Sequence, residues 1–330
     1  MGGVYAGRRS TQRDGDGDGT QRTGGRIDTR DFSGARLSFV SHYDCARHDT
    51  GWGHPDHQGR LPAVMRAVYA DMLTLFPHLR EVEGRPAVQE AVRRVHTDDY
   101  LKRLRGWVRE AEEKGAPLVV EPGVVVSGAS WDAAMAAAGC VLTAVDQVLD
   151  GGPPRAFCAT RPPGAGAHAD GPAGFALLNS VAIGARHALD RAAGGGVLVI
   201  EWSGLGDSAI PELLSGVAGT TVLSLDPDEY QSAAALLDGL RGALASCDPA
   251  GDLALVLLAN GLDILAADPL GRLDATPADV YELTTALVEW AEERCGGRIV
   301  SALEGGYAPS AVGAAVVQHL RALAGLPRAA

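Results

Sequence analysis

Apolar residues recur along this chain with two periods. Short continuous runs of Val, Leu, Ile and Ala alternate with longer stretches in which apolar positions return every three or four residues. The first kind reads as strands buried on both faces of a parallel sheet, the second as helices packed against it. The runs predict strands at 37–41, 155–160, 197–202, 220–225, 253–259 and 298–303. Helices are predicted near 61–75, 98–113, 130–149, 177–193, 229–245, 277–294 and 309–323. Thr276, Pro277 and Asp279 mark one helix start with an N-cap, a proline at the first helical position and an acid in the first turn. The Ala- and Val-rich segment from Ala133 to Val148 is too apolar for a solvated helix and is expected to pack on the sheet. Strands alternating with helices give the fold class: α/β, a single domain with a mainly parallel sheet flanked by helices on both faces.

Residues 1–34 have almost nothing to bury and read as a disordered low-complexity tail, with the α/β domain spanning 35–330. Asp14–Gly19 mimics the start of a calcium-binding EF-hand loop. The loop's twelfth position, which needs Glu, is Gly25, and no flanking helices are evident, so a linker is the reading. The domain shows no internal repeat and no second linker.

Composition narrows the function classes. The 330 residues are 46% hydrophobic and 21% charged, as in an ordinary globular chain. No run of about 18 apolar residues and no apolar segment after the N-terminal arginines is seen, so neither a membrane span nor a signal peptide is expected. Cys45, Cys140, Cys158, Cys247 and Cys295 are scattered without C-x-x-C spacing, which fits small apolar packing in a reduced cytoplasm. The formal charge of −12 argues against nucleic acid as a partner and is compatible with cationic small molecules.

The chemistry gathers after the predicted strands. Val197–Ile200 opens a buried strand that ends in Glu201, Ser203, Gly204, Gly206 and Asp207, and ligands of open α/β sheets sit at the carboxyl ends of strands. Arg161-Pro-Pro-Gly164 follows strand 155–160, Asn260-Gly261-Leu-Asp263 follows 253–259, and Glu304-Gly-Gly-Tyr307 follows 298–303. A fourth loop holds His48-Asp-Thr-Gly, then Gly-His54-Pro and His57, then Arg60-Leu61. With Arg-Val-His96 and Gly-Phe175…Asn179, these motifs run in one order over about residues 38–325. In that order they resemble the histone deacetylase and acetylpolyamine amidohydrolase superfamily, of arginase/deacetylase fold.

The resemblance implies zinc-assisted amide hydrolysis: an Asp-x-His pair and a further Asp hold the metal, a His-His pair supplies acid/base chemistry, and a Tyr hydrogen-bonds the developing oxyanion. Carried over position by position, the His-His pair falls on Ala165 and Gly166, and the Asp-x-His ligands fall on Ser203 and Leu205. Asp263 and Tyr307 remain. One family ligand of three does not hold zinc, so no metal and no other cofactor is expected. After Leu225 the chain passes almost directly into a helix, where the family carries a long Gly/Pro-rich loop.

The remaining candidates each have two readings. His168 either swings towards Asp207 or Asp263, joining Tyr307 and Asp263 as catalytic candidates, or is an exposed loop histidine. His54 either makes a structural hydrogen bond near the helix start or joins the pocket wall. Asp263 without metal needs Arg161, a backbone donor or a raised pKa to be tolerated. Arg161, Gly164, Ser203, Asp207, Gly305, Gly306 and His54 are the ligand-binding candidates. The leading functional reading is a non-catalytic relative that binds a small acylated or cationic ligand, or a protein partner through an exposed apolar patch, with homo- or hetero-oligomers open. The alternative is a zinc-independent acid/base enzyme for cyclisation, isomerisation or ester cleavage, which requires a carboxylate of raised pKa in one cleft with Tyr307. Residual zinc hydrolysis through substitute ligands ranks last.

Overall fold

The order of the strands places every strand end that matters on one edge of the molecule. The computed structural model describes residues 34–206, 208–249 and 252–329. The tail with its Asp14–Gly19 motif, and Asp207, therefore lie outside the described residues. Seven strands form a sheet: β1 (Leu37–Ser41), β2 (Leu79–Glu83), β5 (Arg155–Ala159), β6 (Gly196–Trp202), β7 (Thr220–Leu225), β8 (Leu253–Asn260) and β9 (Ile299–Leu303). Their order is β2-β1-β5-β9-β8-β6-β7, and every pairing is parallel. A parallel sheet puts all its carboxyl ends together, so the loops after β5, β6, β7, β8 and β9 meet along one rim.

The continuous apolar runs correspond to the central strands. All residues of β5, β6, β8 and β9 are buried, as expected of strands covered on both faces. The strand missed by sequence, β2, reads Leu-Arg-Glu-Val-Glu and has one polar face because it lies at the sheet edge. The hairpin of β3 (Leu118–Glu121) and β4 (Val124–Val126) is also outside the sequence reading. It stands apart from the main sheet and packs on α4 (Asp98–Lys114).

The helices match the expected layers. On one face lie α1 (Arg60–Ala70), α8 (Ala233–Ser246), α9 (Pro277–Cys295) and α10 (Pro309–Ala324); on the other lie α5 (Ser130–Leu149) and α6 (Ser180–Arg191). The predicted helix 61–75 breaks at Asp71 into α1 and a single turn, α2 (Met72–Leu75), and two further short helices, α3 (Gln89–Arg93) and α7 (Ile210–Leu214), join the connections. Helix α5 is long and apolar enough to cross a membrane by length and composition, and 72% of that window is buried inside the protein. Packing against β1, β5, β9 and α6 explains its composition, as its Ala and Val content predicted. Helix α9 carries the predicted cap: Thr276 and Asp279 exchange side-chain bonds with each other's backbone N–H, ahead of Pro277.

Two predicted helix starts were too early, and both shifts shape the rim. Helix α6 begins after Asn179, whose Oδ1 accepts from the Ala182 N–H at 3.0 Å while its Nδ2 donates to the carbonyls of Ala165 and Ala167. Helix α8 begins after Ser232, which leaves a short loop, Asp226–Ser232, beyond β7.

Candidate functional site

A cavity of about 240 Å³ opens at the carboxyl ends of β5 to β9. Its polar lining comes from successive strand ends: Glu201 and Ser203 from β6, Ser224 and Asp226 from β7, Asp263 from the turn after β8, Glu304 and Tyr307 from the turn after β9. Trp202, Leu205, Leu225 and Pro227 supply apolar wall. Among the described residues, no Lys, Arg or His lines it.

Asp263 is the centre of the floor. The Ser203 hydroxyl donates to its Oδ2 at 2.8 Å, and the Gly204 N–H donates to its Oδ1 at 3.0 Å. Burial pushes this carboxyl up to about 6, with the Gly204 and Ser203 donors pulling the other way. Of the three means of tolerating this carboxylate, a backbone donor and a raised pKa are present and Arg161 is not. Glycine is required beside it: a Cβ on Gly305 would lie 2.7 Å from Asp263 Oδ2.

Glu304 is the second buried carboxyl. Its Oε2 accepts the backbone N–H groups of Gly164 at 2.5 Å and Ala165 at 3.0 Å. Burial raises it to about 7, the two N–H donors and the Arg60 charge opposing and Glu201 adding. Glu201 is buried and accepts from the Ser224 hydroxyl. Neither acid was among the sequence candidates, although both were visible as acids ending apolar strands.

Tyr307 lines the cavity. Its N–H donates to Asp268, its ring meets Phe175 edge-on at 5.2 Å, and the Arg60 guanidinium lies 4.8 Å from the ring centroid. These contacts hold the ring in place. Phe175 holds a φ of +71°, left-handed backbone for a bulky residue, at the point where it reaches Tyr307.

Several candidates stand elsewhere. Arg161 is fully buried behind the cavity, where its guanidinium donates to Asp56 and to the His48 carbonyl. Asp56 also receives Arg60 at 2.5 Å, and Arg60 goes on to the carbonyls of Gly306 at 2.5 Å and Glu304 at 2.6 Å. Burial alone would raise Asp56, but the Arg161 and Arg60 charges hold it below the usual carboxylate range. The ligand-binding expectation for Arg161 is therefore corrected: it braces the loops. Gly306, at φ +110°, serves that brace through its carbonyl, and Gly164 serves Glu304 through its N–H. Gly305 and Ser203 do line the cavity.

His168 does not swing inward. Its Nδ1 lies 2.8 Å from Glu212 on the surface, its side chain 43% exposed, so its catalytic candidacy is corrected. Its backbone is structural: the carbonyl accepts from His96 Nδ1 at 2.8 Å, and the N–H donates to the Gly171 carbonyl at 2.9 Å. His96 in turn accepts the Asn179 N–H at Nε2, and burial lowers it to about 4, so the ring is neutral. His54 bridges the Gly123 carbonyl and the Asp56 N–H and packs edge-on against Phe175 at 4.6 Å, behind the wall and outside the lining.

Zinc does not fit the donor set. The family's three ligand positions present a serine hydroxyl already bonded to Asp263, the apolar side chain of Leu205, and Asp263 itself. Among the described residues, no group of three or more His, Cys, Asp or Glu side chains is placed to hold a metal ion.

Comparison with known proteins gives a consistent picture. The family model described as histone deacetylase domain matches residues 54–203 and 228–323. Histone deacetylase 14, chloroplastic, of Arabidopsis thaliana is 27% identical over 311 residues, covering 82% of this chain and 73% of that protein. The histone deacetylase-like amidohydrolase of Pseudomonas aeruginosa is 28% identical over 309 residues, with 81% and 76% covered. The crystal structure of the HDA15 HD domain superposes with a TM-score of 0.75 at 20% identity, over 89% of this chain and 91% of that one, a likeness of fold.

Proposed function

The chain belongs to the histone deacetylase family, and we propose that it has lost zinc-dependent deacetylation and uses the inherited cavity to bind a small ligand. The observation that carries this reading is the Ser203–Asp263 hydrogen bond. It joins two of the three family ligand positions directly to each other, and the third, Leu205, offers no donor. With Ala165 and Gly166 at the His-His positions, the side chains that would activate water and protonate a leaving amine are absent as well. A crevice lined by carboxyl groups and apolar side chains remains at the strand ends, as a binding site requires. Relatives bear the names of deacetylases, so the test is turnover: the purified chain, with zinc added, assayed on acetyl-lysine peptides and acetylpolyamines. No deacetylation above background is expected; turnover that a chelator abolishes would overturn the reading.

One observation favours the second reading, a zinc-independent acid/base enzyme. Asp263 and Glu304 both have raised pKa values and line the same cavity as Tyr307. A carboxyl near 6 and another near 7 are poised to take and return protons near neutrality. Against it, Glu304 already binds two backbone N–H groups and Asp263 is tied to Ser203 and Gly204, the pattern of acids holding loops together. A bound ligand recovered chemically unchanged after prolonged incubation separates binding from conversion.

A further inference from the structure

We propose that Ser203 is a nucleophile with Asp263 as its general base, and that the cavity takes up the acyl group of a small activated ester or thioester as an acyl-serine. The proposal rests on the reading that zinc is not held here, because a carboxylate that holds a metal does not take a proton. It names the ligand class of that reading: a short acyl group, held by a covalent bond.

Geometry carries the argument. The bond that ties the ends of β6 and β8 together also sets a hydroxyl against a base at the cavity wall. The Ser203 hydroxyl donates to Asp263 Oδ2 at 2.8 Å, within the reach that a nucleophile and its base require. A third group orients the base in turn, the Gly204 N–H donating to Oδ1 at 3.0 Å. Backbone closes on both carboxylate oxygens: a Cβ on Gly305 would lie 2.7 Å from Oδ2, and one on Gly261 would lie 2.7 Å from Oδ1. Asp263 is thereby held facing the hydroxyl. The two side chains also differ in exposure as a base and a nucleophile should. Asp263 is 1% exposed and Ser203 is half-buried, and both line the cavity. The Leu205 N–H donates to Ser203 Oγ at 3.0 Å and uses one lone pair; a hydroxyl oxygen has a second for attack.

In the transfer, Ser203 Oγ bonds to the acyl carbon as its proton passes to Asp263 Oδ2. The bond from that carbon to the leaving oxygen or sulfur breaks, and the leaving group departs with the electron pair as a phenolate or thiolate. Asp263 then gives its proton to solvent, and no oxidant or reductant takes part. Among the described residues, no Lys, Arg or His lines the cavity to protonate a leaving amine, which sets amides outside the class. A phenolate or thiolate leaves without that proton. Trp202, Leu205 and Leu225 supply apolar wall, and about 240 Å³ leaves room for a short hydrocarbon acyl chain.

The test is incubation of the full chain with p-nitrophenyl butyrate in the presence of a chelator. Samples quenched with acid early in the time course are read by intact mass, peptide mapping and released p-nitrophenolate. One butyryl group per chain on Ser203 is expected, with one equivalent of p-nitrophenolate released in a burst. Ser203→Ala is expected to lose both the adduct and the burst, and Ser203→Cys, which keeps a nucleophile, to regain them. Asp263→Asn is expected to slow acylation by about a hundredfold or more while leaving the ester concentration at half-maximal rate unchanged. Neither adduct nor burst on the wild-type chain, an adduct that maps elsewhere, or an equal burst in Ser203→Ala would overturn the nucleophile assignment. An undiminished rate in Asp263→Asn would overturn the assignment of the base. Amide turnover that a chelator abolishes is a separate result, and it would remove the reading beneath the proposal.

Discussion

The Ser203 hydroxyl lies 2.8 Å from Asp263 Oδ2, joining the ends of β6 and β8 across the floor of the cavity. It is a neutral donor meeting a buried acid, and it takes over part of the stabilisation that a cation would otherwise give. Removing it in Ser203→Ala leaves that oxygen without the donor, at an expected cost of roughly 1–3 kcal/mol when Asp263 is ionised. Denaturant unfolding at pH 8 and pH 5 checks this: the loss should be larger at pH 8 and shrink at pH 5, where the acid holds its proton.

The two raised acids predict a pH dependence of opposite sign to that of ordinary ion-paired carboxylates. A carboxyl whose folded pKa is raised binds its proton more tightly in the native state, so its contribution is present below the unfolded value and is lost as pH rises through the folded one. Asp263 moves from 3.8 to about 6 and Glu304 from 4.5 to about 7. Between about pH 4 and pH 7 the wild-type chain should therefore lose on the order of 2–3 kcal/mol per group. Asp263→Asn and Glu304→Gln should each flatten that slope in an unfolding series.

The buried brace predicts a larger effect. Asp56 is the carboxylate between Arg60 and Arg161, all three fully buried. Asp56→Asn leaves two guanidinium charges without their partner and is expected to cost about 3–5 kcal/mol. Disorder of the turns at Glu304 and Arg161 should accompany it, seen as lost protection from hydrogen exchange at Gly306 and its neighbours.

His168 predicts the opposite outcome. Its contact with Glu212 is solvent-exposed, so His168→Ala should change stability by less than about 1 kcal/mol in denaturant unfolding. A loss of several kcal/mol would contradict its surface placement.

Rebuilding the metal site supplies a gain-of-function test. Ser203→Asp with Leu205→His puts two family ligands back beside Asp263. Without metal the new carboxylate repels Asp263 and should lower the unfolding midpoint; added zinc should restore it in proportion to concentration. The wild-type midpoint should not respond to zinc.

The fold was legible because β5, β6, β8 and β9 are buried on both faces and therefore uninterrupted in apolar character. Edge strand β2 was not, since half of its side chains face water. Within the site, Asp263, Ser203 and Tyr307 could be read because each follows a strand in a recognisable motif. Arg161 shares such a motif and still points away, because Asp56, 105 positions earlier, captures it; that pairing has no local signature. His168 was misjudged for the same kind of reason: Glu212 on α7, 44 positions later, decides its direction. Glu201 and Glu304 were present in the quoted motifs, but their convergence follows from strand order, which interleaves β9 and β8 between β5 and β6.

Zinc content after mild dialysis, by elemental analysis of the purified chain, addresses the central claim most directly. A Ser203–Asp263 hydrogen bond in place of a metal predicts far less than one zinc per chain, unchanged by prior incubation with the metal. One zinc per chain, retained through dialysis, would contradict it.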